Sequence, residues 1–243
     1  MSEEMSKYEK CGAYHWLETS RSIKNYNAFL DARYRWALKA VNYSGLLVLD
    51  LGCGDGVMTY RLKRAGADVV GLDADPLALK LARSELAKRD VAVHMVLSLA
   101  ERIPFRSEMF DAVLCAEMIE HVADPHPILS ETARVLKSDG TLILTTPYRG
   151  TRPQSLKHEH EYTSSELEEL LSRYFEVVRV WVSHPLWLKR LYERSWIRWQ
   201  LARWVVNASA LVIGYNPFYT PRPGGTAKGS YSQLLAMAKA PRR

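Results

Sequence analysis

The fold that we expect for this chain is decided by the stretch Val48-Leu49-Asp50-Leu51-Gly52-Cys53-Gly54-Asp55-Gly56. The stretch is almost wholly apolar until it reaches three glycines spaced as GxGxG, which predicts a buried strand that turns sharply into a helix. Such a turn lets a ligand lie against the main chain, close to the free N–H groups of the helix that follows. Asp73 ends the next predicted strand, where a carboxylate can accept hydrogen bonds from both hydroxyls of a ribose.

Predicted strands and helices alternate along most of the chain. The strands cover residues 46–51, 68–73, 91–96, 110–115, 141–146, 175–182 and 231–238. The helices cover residues 20–43, 57–65, 76–89, 125–137 and 163–174. Thr163-Ser164-Ser165-Glu166 has the form of a capping box, and Ser138-Asp139-Gly140 is expected to end the preceding helix. The alternation predicts an α/β fold with a parallel, doubly wound sheet.

Several motifs, in this order, resemble the class I S-adenosylmethionine-dependent methyltransferases. They are VLDLGCGDG (48–56), GLDADP (71–76), AERIPF (100–105), FDAVLCAEMIEHVADP (110–125) and the closing strand after ARVLKSDG (133–140). The resemblance covers about residues 30–182 and 231–238. It implies a Rossmann-like, mostly parallel sheet of seven strands whose last strand is antiparallel, and S-adenosylmethionine as the methyl donor.

The resemblance also implies how the cofactor is held. Gly52 and Gly54 would pack against its methionine part, and Asp73 would bind its ribose. Many relatives hold the adenine amino group with an acidic residue where this chain has Leu99, so here the adenine would rely on backbone groups and apolar packing. The cofactor-binding residues that we expect are Arg33, Asp50, Gly52, Cys53, Gly54, Asp73, Ala74, Ala100 and Ala116. A dehydrogenase is disfavoured because the loop lacks the GxGxxG spacing.

A cation site is predicted directly after the strand 110–115. If Glu117 opens a helical turn, Glu120 and His121 project to the same side as Glu117, outside the carboxyl ends of the strands. Two carboxylates and an imidazole suit Mg²⁺ or Mn²⁺. His158 is available as a fourth ligand, and the nearby His160 is the alternative to it.

This ExxEH motif resembles that of the ubiquinone-biosynthesis O-methyltransferases. Together with H-x-x-E-[aromatic]-T-x-x-E, it also resembles the metal-dependent small-RNA 3′-terminal 2′-O-methyltransferases. Carried over, the metal ligands are Glu117, Glu120, His121 and His158. Many methyltransferases without metal also have this Glu-His pair, and there the histidine acts as a base or only holds the turn.

His121 and Glu117 are the candidate catalytic residues. The sulfonium methyl group is already electrophilic, so the enzyme must align the acceptor and remove its proton. A metal would lower the pKa of a bound hydroxyl, whereas His121 could accept the proton directly. Both routes favour an oxygen nucleophile, and we predict O-methylation of a small-molecule, glycan or lipid-linked hydroxyl. The alternatives are an RNA 2′-O-methyltransferase and a non-catalytic cofactor-binding interaction protein.

Residues 183–229 interrupt the alternation and are predicted to be a helical insertion. Five basic residues and one acidic residue lie in 189–203, and the apolar run 204–213 follows. Tryptophan and arginine together suit a membrane interface, but they also suit a lid over an apolar substrate or packing on the sheet edge. Stacking aromatic rings with arginine could also bind single-stranded RNA. The resemblance further implies that Tyr14-His15-Trp16 and Arg33 cover the cofactor, which ordinary helix packing explains almost as well.

We expect one domain over residues 1–243. It comprises N-terminal helices (1–44), a cofactor-binding core (45–182), the insertion (183–229), and a last strand and tail (230–243). With 47% apolar and 25% charged residues and a net charge of +6, the composition excludes wholesale disorder. The polar N-terminus and three widely spaced cysteines favour the cytoplasm, with peripheral contact at the inner membrane face through residues 187–213. We expect no nucleic-acid partner, because no RNA-binding motif is present.

Overall fold

The computed structural model describes residues 8–20, 22–149, 158–193, 197–224 and 231–242, and only the backbone of residues 197–200. Within these residues, eight strands form one sheet. They are β1 (Leu47–Leu51), β2 (Asp68–Asp73), β3 (His94–Leu97), β4 (Phe110–Ala116), β5 (Leu136–Pro147), β6 (Phe175–Pro185), β7 (Arg222–Pro223) and β8 (Tyr231–Pro241). Their order in the sheet is β3-β2-β1-β4-β5-β8-β6-β7.

The sheet confirms the predicted Rossmann-like fold. Strands β1 to β5 pair in parallel, and the last strand β8 runs antiparallel to both β5 and β6. The predicted count of seven strands is corrected to eight, because the two-residue β7 of the insertion pairs with the outer edge of β6. The core order is unchanged by this addition.

Helices cover the two faces of the sheet. They are α1 (Tyr14–Glu18), α2 (Ala28–Lys39), α3 (Val57–Arg64), α4 (Pro76–Ala87), α5 (His126–Val135), α6 (Ser164–Ser172), α7 (Leu186–Glu193) and α8 (Ile197–Ala208). A 3-10 turn spans Ile119–His121 and a π-helical turn spans Ser209–Ile213. The capping box predicted at the start of α6 is confirmed, because Thr163 and Glu166 bond each other's backbone N–H groups.

Several predicted boundaries are wrong. The insertion does not begin at residue 183, because β6 continues to Pro185. Three other boundaries differ for local reasons. The helix predicted over 20–43 begins only at Ala28, because the Asn27 side chain accepts a hydrogen bond from Leu30 N at 3.2 Å and caps it. The strand predicted over 91–96 is displaced because Val91 N bonds Leu86 O and so belongs to the end of α4. The helix predicted over 125–137 ends at Val135, because the next residue already pairs with β4 and residues 138–140 continue that strand.

The sheet separates two apolar cores. Successive side chains of a strand point to opposite faces, so Leu49 of β1 packs toward α5 and α6 while Val48 packs toward α2 and α3. With both faces covered, the carboxyl ends of β1, β2 and β4 remain open to form a site.

The insertion has its own apolar cluster, which it shares with α2. Tyr192 of α7 accepts a hydrogen bond from Ala28 N at 2.9 Å and donates to Asn207 Oδ1 of α8 at 2.6 Å. The inner face of the helix pair therefore packs on the start of α2. Arg194 and Trp196 lie outside the described residues, as do the side chains of Arg198 and Trp199. In the part of the chain that the structure describes, no helix is long and apolar enough to span a bilayer.

Candidate active site

The glycine loop connects β1 to α3, and three of its residues have left-handed backbone conformations. Gly52, Gly54 and Gly56 have φ angles of 73°, 52° and 81°, a region that glycine enters without a steric penalty. A Cβ at Gly54 would lie 2.3 Å from the Tyr8 hydroxyl, and a Cβ at Gly52 would lie 2.9 Å from Met118 Cγ. The loop therefore tolerates only glycine at these points and presents bare backbone to the space above it.

A cavity of about 290 Å³ lies over the glycine loop. Every residue predicted to bind the cofactor lines it: Arg33, Asp50, Gly52, Cys53, Gly54, Asp73, Ala74, Ala100 and Ala116. Leu99, at the position where many relatives have an acidic residue, also lines the cavity and is 58% exposed. The structure brings this predicted set together in one place, and its role toward a cofactor stays a prediction.

Two aspartates lie at the floor and wall of this cavity. Asp73 Oδ2 accepts a hydrogen bond from Gly54 N at 2.8 Å, and its Oδ1 accepts one from Asp75 N at 2.9 Å. Asp50 is buried beneath the loop and accepts a hydrogen bond from the Thr59 hydroxyl at 2.6 Å. Burial raises the pKa of Asp50 to about 7, although the bond from Thr59 opposes the shift.

The N-terminal segment lies on the glycine loop. His15 N and His15 Nδ1 each lie 3.1 Å from a carboxylate oxygen of Asp55, and Trp16 Nε1 donates to Asp55 O at 2.7 Å. Tyr8 and His15 both line the cavity. Of Tyr14-His15-Trp16, His15 lies at the cavity wall, and the role of the segment as a cover for the cofactor stays a prediction.

Glu117 does not open the helical turn. It has a φ of 55°, and the 3-10 turn begins only at Ile119, so the expectation that Glu117 shares one side with Glu120 is wrong. Its carboxylate instead accepts hydrogen bonds from three side chains: Arg33, Thr145 at 3.1 Å and Gln233 at 2.5 Å. Glu117 is thereby held at the cavity wall, facing α2 and β8.

Glu120, His121 and His158 come together as a candidate cation site. Each offers one ligand atom, and these atoms all lie within 4.8 Å of one another. Burial, and then the charge of Glu117, raise the pKa of Glu120 well above its usual range. A cation here would favour the ionised form of that carboxyl. His160, the alternative ligand, instead packs its ring on Tyr162 at a centroid distance of 4.5 Å.

Hydrogen bonds tie the two segments of this site together. Glu120 O accepts from the backbone N–H groups of Glu159 at 2.8 Å and His160 at 3.3 Å. Glu120 Oε2 accepts from the Thr146 hydroxyl at 3.0 Å. The loop that carries His158 is therefore anchored to the turn that carries Glu120.

Comparison with known proteins shows the family of this chain. A family described as "Methyltransferase domain" matches residues 49–144. Ubiquinone biosynthesis O-methyltransferase of Haemophilus ducreyi is 32% identical over 150 residues, which are 59% of this chain and 63% of that protein. The relative of the same name from Dechloromonas aromatica is 31% identical over 158 residues, which are 63% of this chain and 67% of that protein. The chain belongs to the class I S-adenosylmethionine-dependent methyltransferases.

Solved structures share the fold of this methyltransferase chain. Phosphoethanolamine N-methyltransferase 2 of Haemonchus contortus, solved with S-adenosyl-L-methionine, superposes with a TM-score of 0.66 at 18% identity, covering 98% of this chain and 58% of that one. The chain spans just under two thirds of the length of the first curated relatives that it matches, 63% for the Haemophilus protein.

Several residues at the site of this methyltransferase were not predicted from the sequence. Thr146, Gln233 and Tyr8 touch the site from β5, β8 and the N-terminal segment, and no local pattern marks any of them. Glu161 also escaped, although it follows His158 by three positions within a motif that had been recognised. Its Oε1 lies 2.7 Å from His158 Nδ1.

Proposed function

We propose that this protein transfers a methyl group from S-adenosylmethionine to a hydroxyl oxygen of a small-molecule, glycan or lipid-linked acceptor, assisted by a divalent cation. One observation carries the proposal. The cavity over the glycine loop is also lined by His121, which belongs to the Glu120–His121–His158 cluster. Methyl donor and acceptor would therefore meet within one cavity. The relatives named ubiquinone biosynthesis O-methyltransferase support an oxygen acceptor.

The residues around the glycine loop fit S-adenosylmethionine. Gly52 and Gly54 both line the cavity, and without side chains they let a methionine part lie against the main chain. The carboxylate of Asp73 suits the two ribose hydroxyls. When bound, the cofactor would supply an electrophilic methyl group on its sulfonium. The protein's part is to hold that methyl group in line with the acceptor oxygen.

The cluster fits a divalent cation with mixed ligands. One carboxylate and two imidazoles favour Mn²⁺ over Mg²⁺, because imidazole is a poorer ligand for Mg²⁺. When bound, the cation would lower the pKa of a hydroxyl next to it. Glu120 and His158 would hold the ion, while His121 would hold it from the cavity wall. Glu117, which the structure places on Arg33, would keep that guanidinium aimed at the cofactor.

Removal of the cation tests this function. Transfer of a labelled methyl group should be measured on a panel of catechols, prenylated phenols, glycans and RNA 3′ ends. We expect EDTA to abolish transfer and Mn²⁺ to restore it better than Mg²⁺. Full activity in the chelator would overturn the cation and leave His121 as the base. Transfer to RNA alone would favour the 2′-O-methyltransferase, and cofactor binding without any transfer would favour a non-catalytic role.

We propose that the outer face of the insertion contacts an anionic membrane surface, and that the protein is cytoplasmic. This outer face is exposed and apolar: Trp187, Leu201, Trp204, Val205, Val212 and Ile213 are each at least 54% exposed. The exposed Arg190 lies on the same helix as Trp187. Aromatic rings and guanidinium groups together suit the headgroup region of a bilayer. Flotation with anionic vesicles tests this contact, and it fails if the wild-type protein stays unbound at low salt.

We also propose that the chain is one domain, because the insertion shares an apolar cluster with α2. A single cooperative unfolding transition would support this, and separate melting of the insertion would contradict it.

A further inference from the structure

We propose that Glu161 is a positioning residue that orients His158 for cation binding. The proposal rests on the cation site described above and assigns Glu161 a role in it. Glu161 contacts one residue of this site, His158, and is not itself a ligand of the cation. It acts through the imidazole ring of His158, by fixing which of the two ring nitrogens faces Glu120 and His121.

The contact is buried and direct. The side chain of Glu161 is completely buried, and its Oε1 lies 2.7 Å from Nδ1 of His158, whose side chain is 17% exposed. The adjoining backbone is fixed as well, because Tyr162 O accepts a hydrogen bond from Arg149 N at 3.0 Å and Tyr162 forms a bridge with Tyr148. Glu161 therefore cannot turn toward water without disrupting the packing around it.

A carboxylate at Nδ1 decides the state of the ring. A neutral imidazole carries one proton, and an acceptor next to Nδ1 keeps the proton on that nitrogen. Nε2 is then left with its lone pair. The His158 and His121 rings meet edge to face, with 5.1 Å between their centroids, so the two imidazoles are direct neighbours. Carboxylate–histidine–metal arrangements of this kind orient the ligand and raise its basicity.

A purely structural ion pair is the competing explanation. It would contribute to stability and leave cation affinity unchanged. A buried carboxylate destabilises the folded protein unless a partner stabilises its charge. Both explanations give His158 as that partner for Glu161. The two roles are separated by measuring cation binding and stability in the same variants.

Mn²⁺ binding to the full chain, measured by the EPR signal of free Mn²⁺, tests the proposal. Glu161→Gln keeps the shape and removes the charge, and we expect Mn²⁺ affinity to fall roughly 10- to 100-fold. S-adenosylmethionine affinity, measured by calorimetry, should stay within about twofold. Glu159→Gln is the matched control, because it removes the same charge from an exposed side chain two positions earlier and should change Mn²⁺ affinity by less than about threefold.

The outcomes separate this inference from the proposed function. If wild-type protein binds no Mn²⁺, the cation site itself fails and the role of Glu161 fails with it. If His158→Gln weakens Mn²⁺ binding but Glu161→Gln does not, the site stands and the inference is overturned.

A second measurement needs no variant that could fail to fold. ¹⁵N NMR of the metal-free wild-type protein, at a pH where the ring is neutral, should show His158 protonated at Nδ1. A ring protonated at Nε2 would overturn the proposal.

Discussion

One end of the cavity is formed mainly by main-chain groups and the other by side chains. The end proposed to bind the cofactor, called the cofactor end, is formed by residues 52–56 and Asp73. Main-chain groups define its shape, and even the Asp73 carboxylate is held by two backbone N–H groups. The corner proposed to bind the acceptor, called the acceptor corner, is formed by Glu117, Glu120, His121 and His158, and there side chains hold other side chains. The bond from Gln233 to Glu117 joins residues 116 positions apart.

The two ends therefore depend on the sequence in different ways. The cofactor end is contained in contiguous motifs, since a strand, a glycine turn and a helix follow one another directly. The acceptor corner exists only after α2, β5, β8 and the loop before α6 have assembled around β4. We therefore expect changes at the cofactor end to act on cofactor binding alone, and changes at the acceptor corner to act on cation binding or on stability.

Asp73→Ala should give the largest effect. We expect S-adenosylmethionine affinity to fall by roughly 100-fold or more, because each lost charge-assisted hydrogen bond to the ribose is worth ~1.5–3 kcal/mol. Mn²⁺ affinity should be unchanged, and calorimetry can measure both. Asp68→Ala, at the exposed first residue of the same strand, is the control and should bind the cofactor normally. Unchanged cofactor affinity in Asp73→Ala would remove this residue from the cofactor site.

Asp50, which is buried beneath the cofactor end, makes the stability of the protein sensitive to pH. Its folded-state pKa of about 7 lies above the ordinary 3.8, so its contribution to stability is complete below pH 4 and is lost as the pH rises through 7. Asp50→Asn removes this loss and keeps an acceptor for Thr59. Relative to wild type, the variant should gain up to about 4 kcal/mol in the free energy of unfolding between pH 4 and pH 8.

Urea unfolding of both proteins at several pH values measures this gain. Asp68→Asn makes the same substitution at an exposed carboxylate and is the control. A constant difference for Asp50→Asn would mean that Asp50 is ionised in the folded protein at acid pH.

Glu117→Gln tests whether Glu117 binds the cation or only pairs with Arg33. We expect Mn²⁺ affinity within about threefold of wild type, because Glu117 faces Arg33 rather than the cluster. The free energy of unfolding should fall by about 2–3 kcal/mol, since a largely buried guanidinium loses its carboxylate; full burial would cost more, but these side chains are 11% and 19% exposed. EPR and urea unfolding measure the two effects. A tenfold loss of Mn²⁺ binding would make Glu117 a ligand, as its place in ExxEH first indicated.

The fold could be predicted wherever local signals agree with tertiary structure. The bounds of β2 match the prediction at both ends, and the capping box of α6 is where the sequence placed it. The start of α2 could not be predicted, because the helical spacing of apolar residues continues upstream through Tyr26. Tyr26 is buried, but it packs against the insertion as part of a loop. The spacing of apolar residues indicates burial at Tyr26 but does not indicate the capping hydrogen bond at Asn27.

The site could be predicted to the extent that its residues lie in motifs. Every member of the cofactor-lining set except Arg33 lies in one of the motifs, and Arg33 is expected only from its likeness to an arginine of related proteins. The partners of Glu117 and Glu120 were not found, because Gln233 and Thr146 lie on strands whose order in the sheet brings them into contact. Positive φ at Glu117 is equally invisible in the sequence, and the carboxylate of this residue is bound by Arg33, Thr145 and Gln233.

The smallest effect concerns the outer face of the insertion, which lies outside both ends of the cavity. A basic residue near an anionic surface is worth ~1 kcal/mol, and salt screens it, whereas burial of exposed apolar side chains such as Val212 and Ile213 is not screened. Arg190→Gln should therefore weaken vesicle binding about fivefold at low salt and hardly at all at high salt.

The control for Arg190→Gln is Arg179→Gln, which removes an exposed arginine on β6 outside residues 187–213 and should leave vesicle binding unchanged. Cofactor affinity should be the same in both variants, because neither arginine lines the cavity. Equal weakening by the two substitutions would mean that vesicles sense only the net charge of the protein. That result would contradict specific membrane binding by the outer face. A soluble acceptor would then be a better substrate to test than a lipid-linked one.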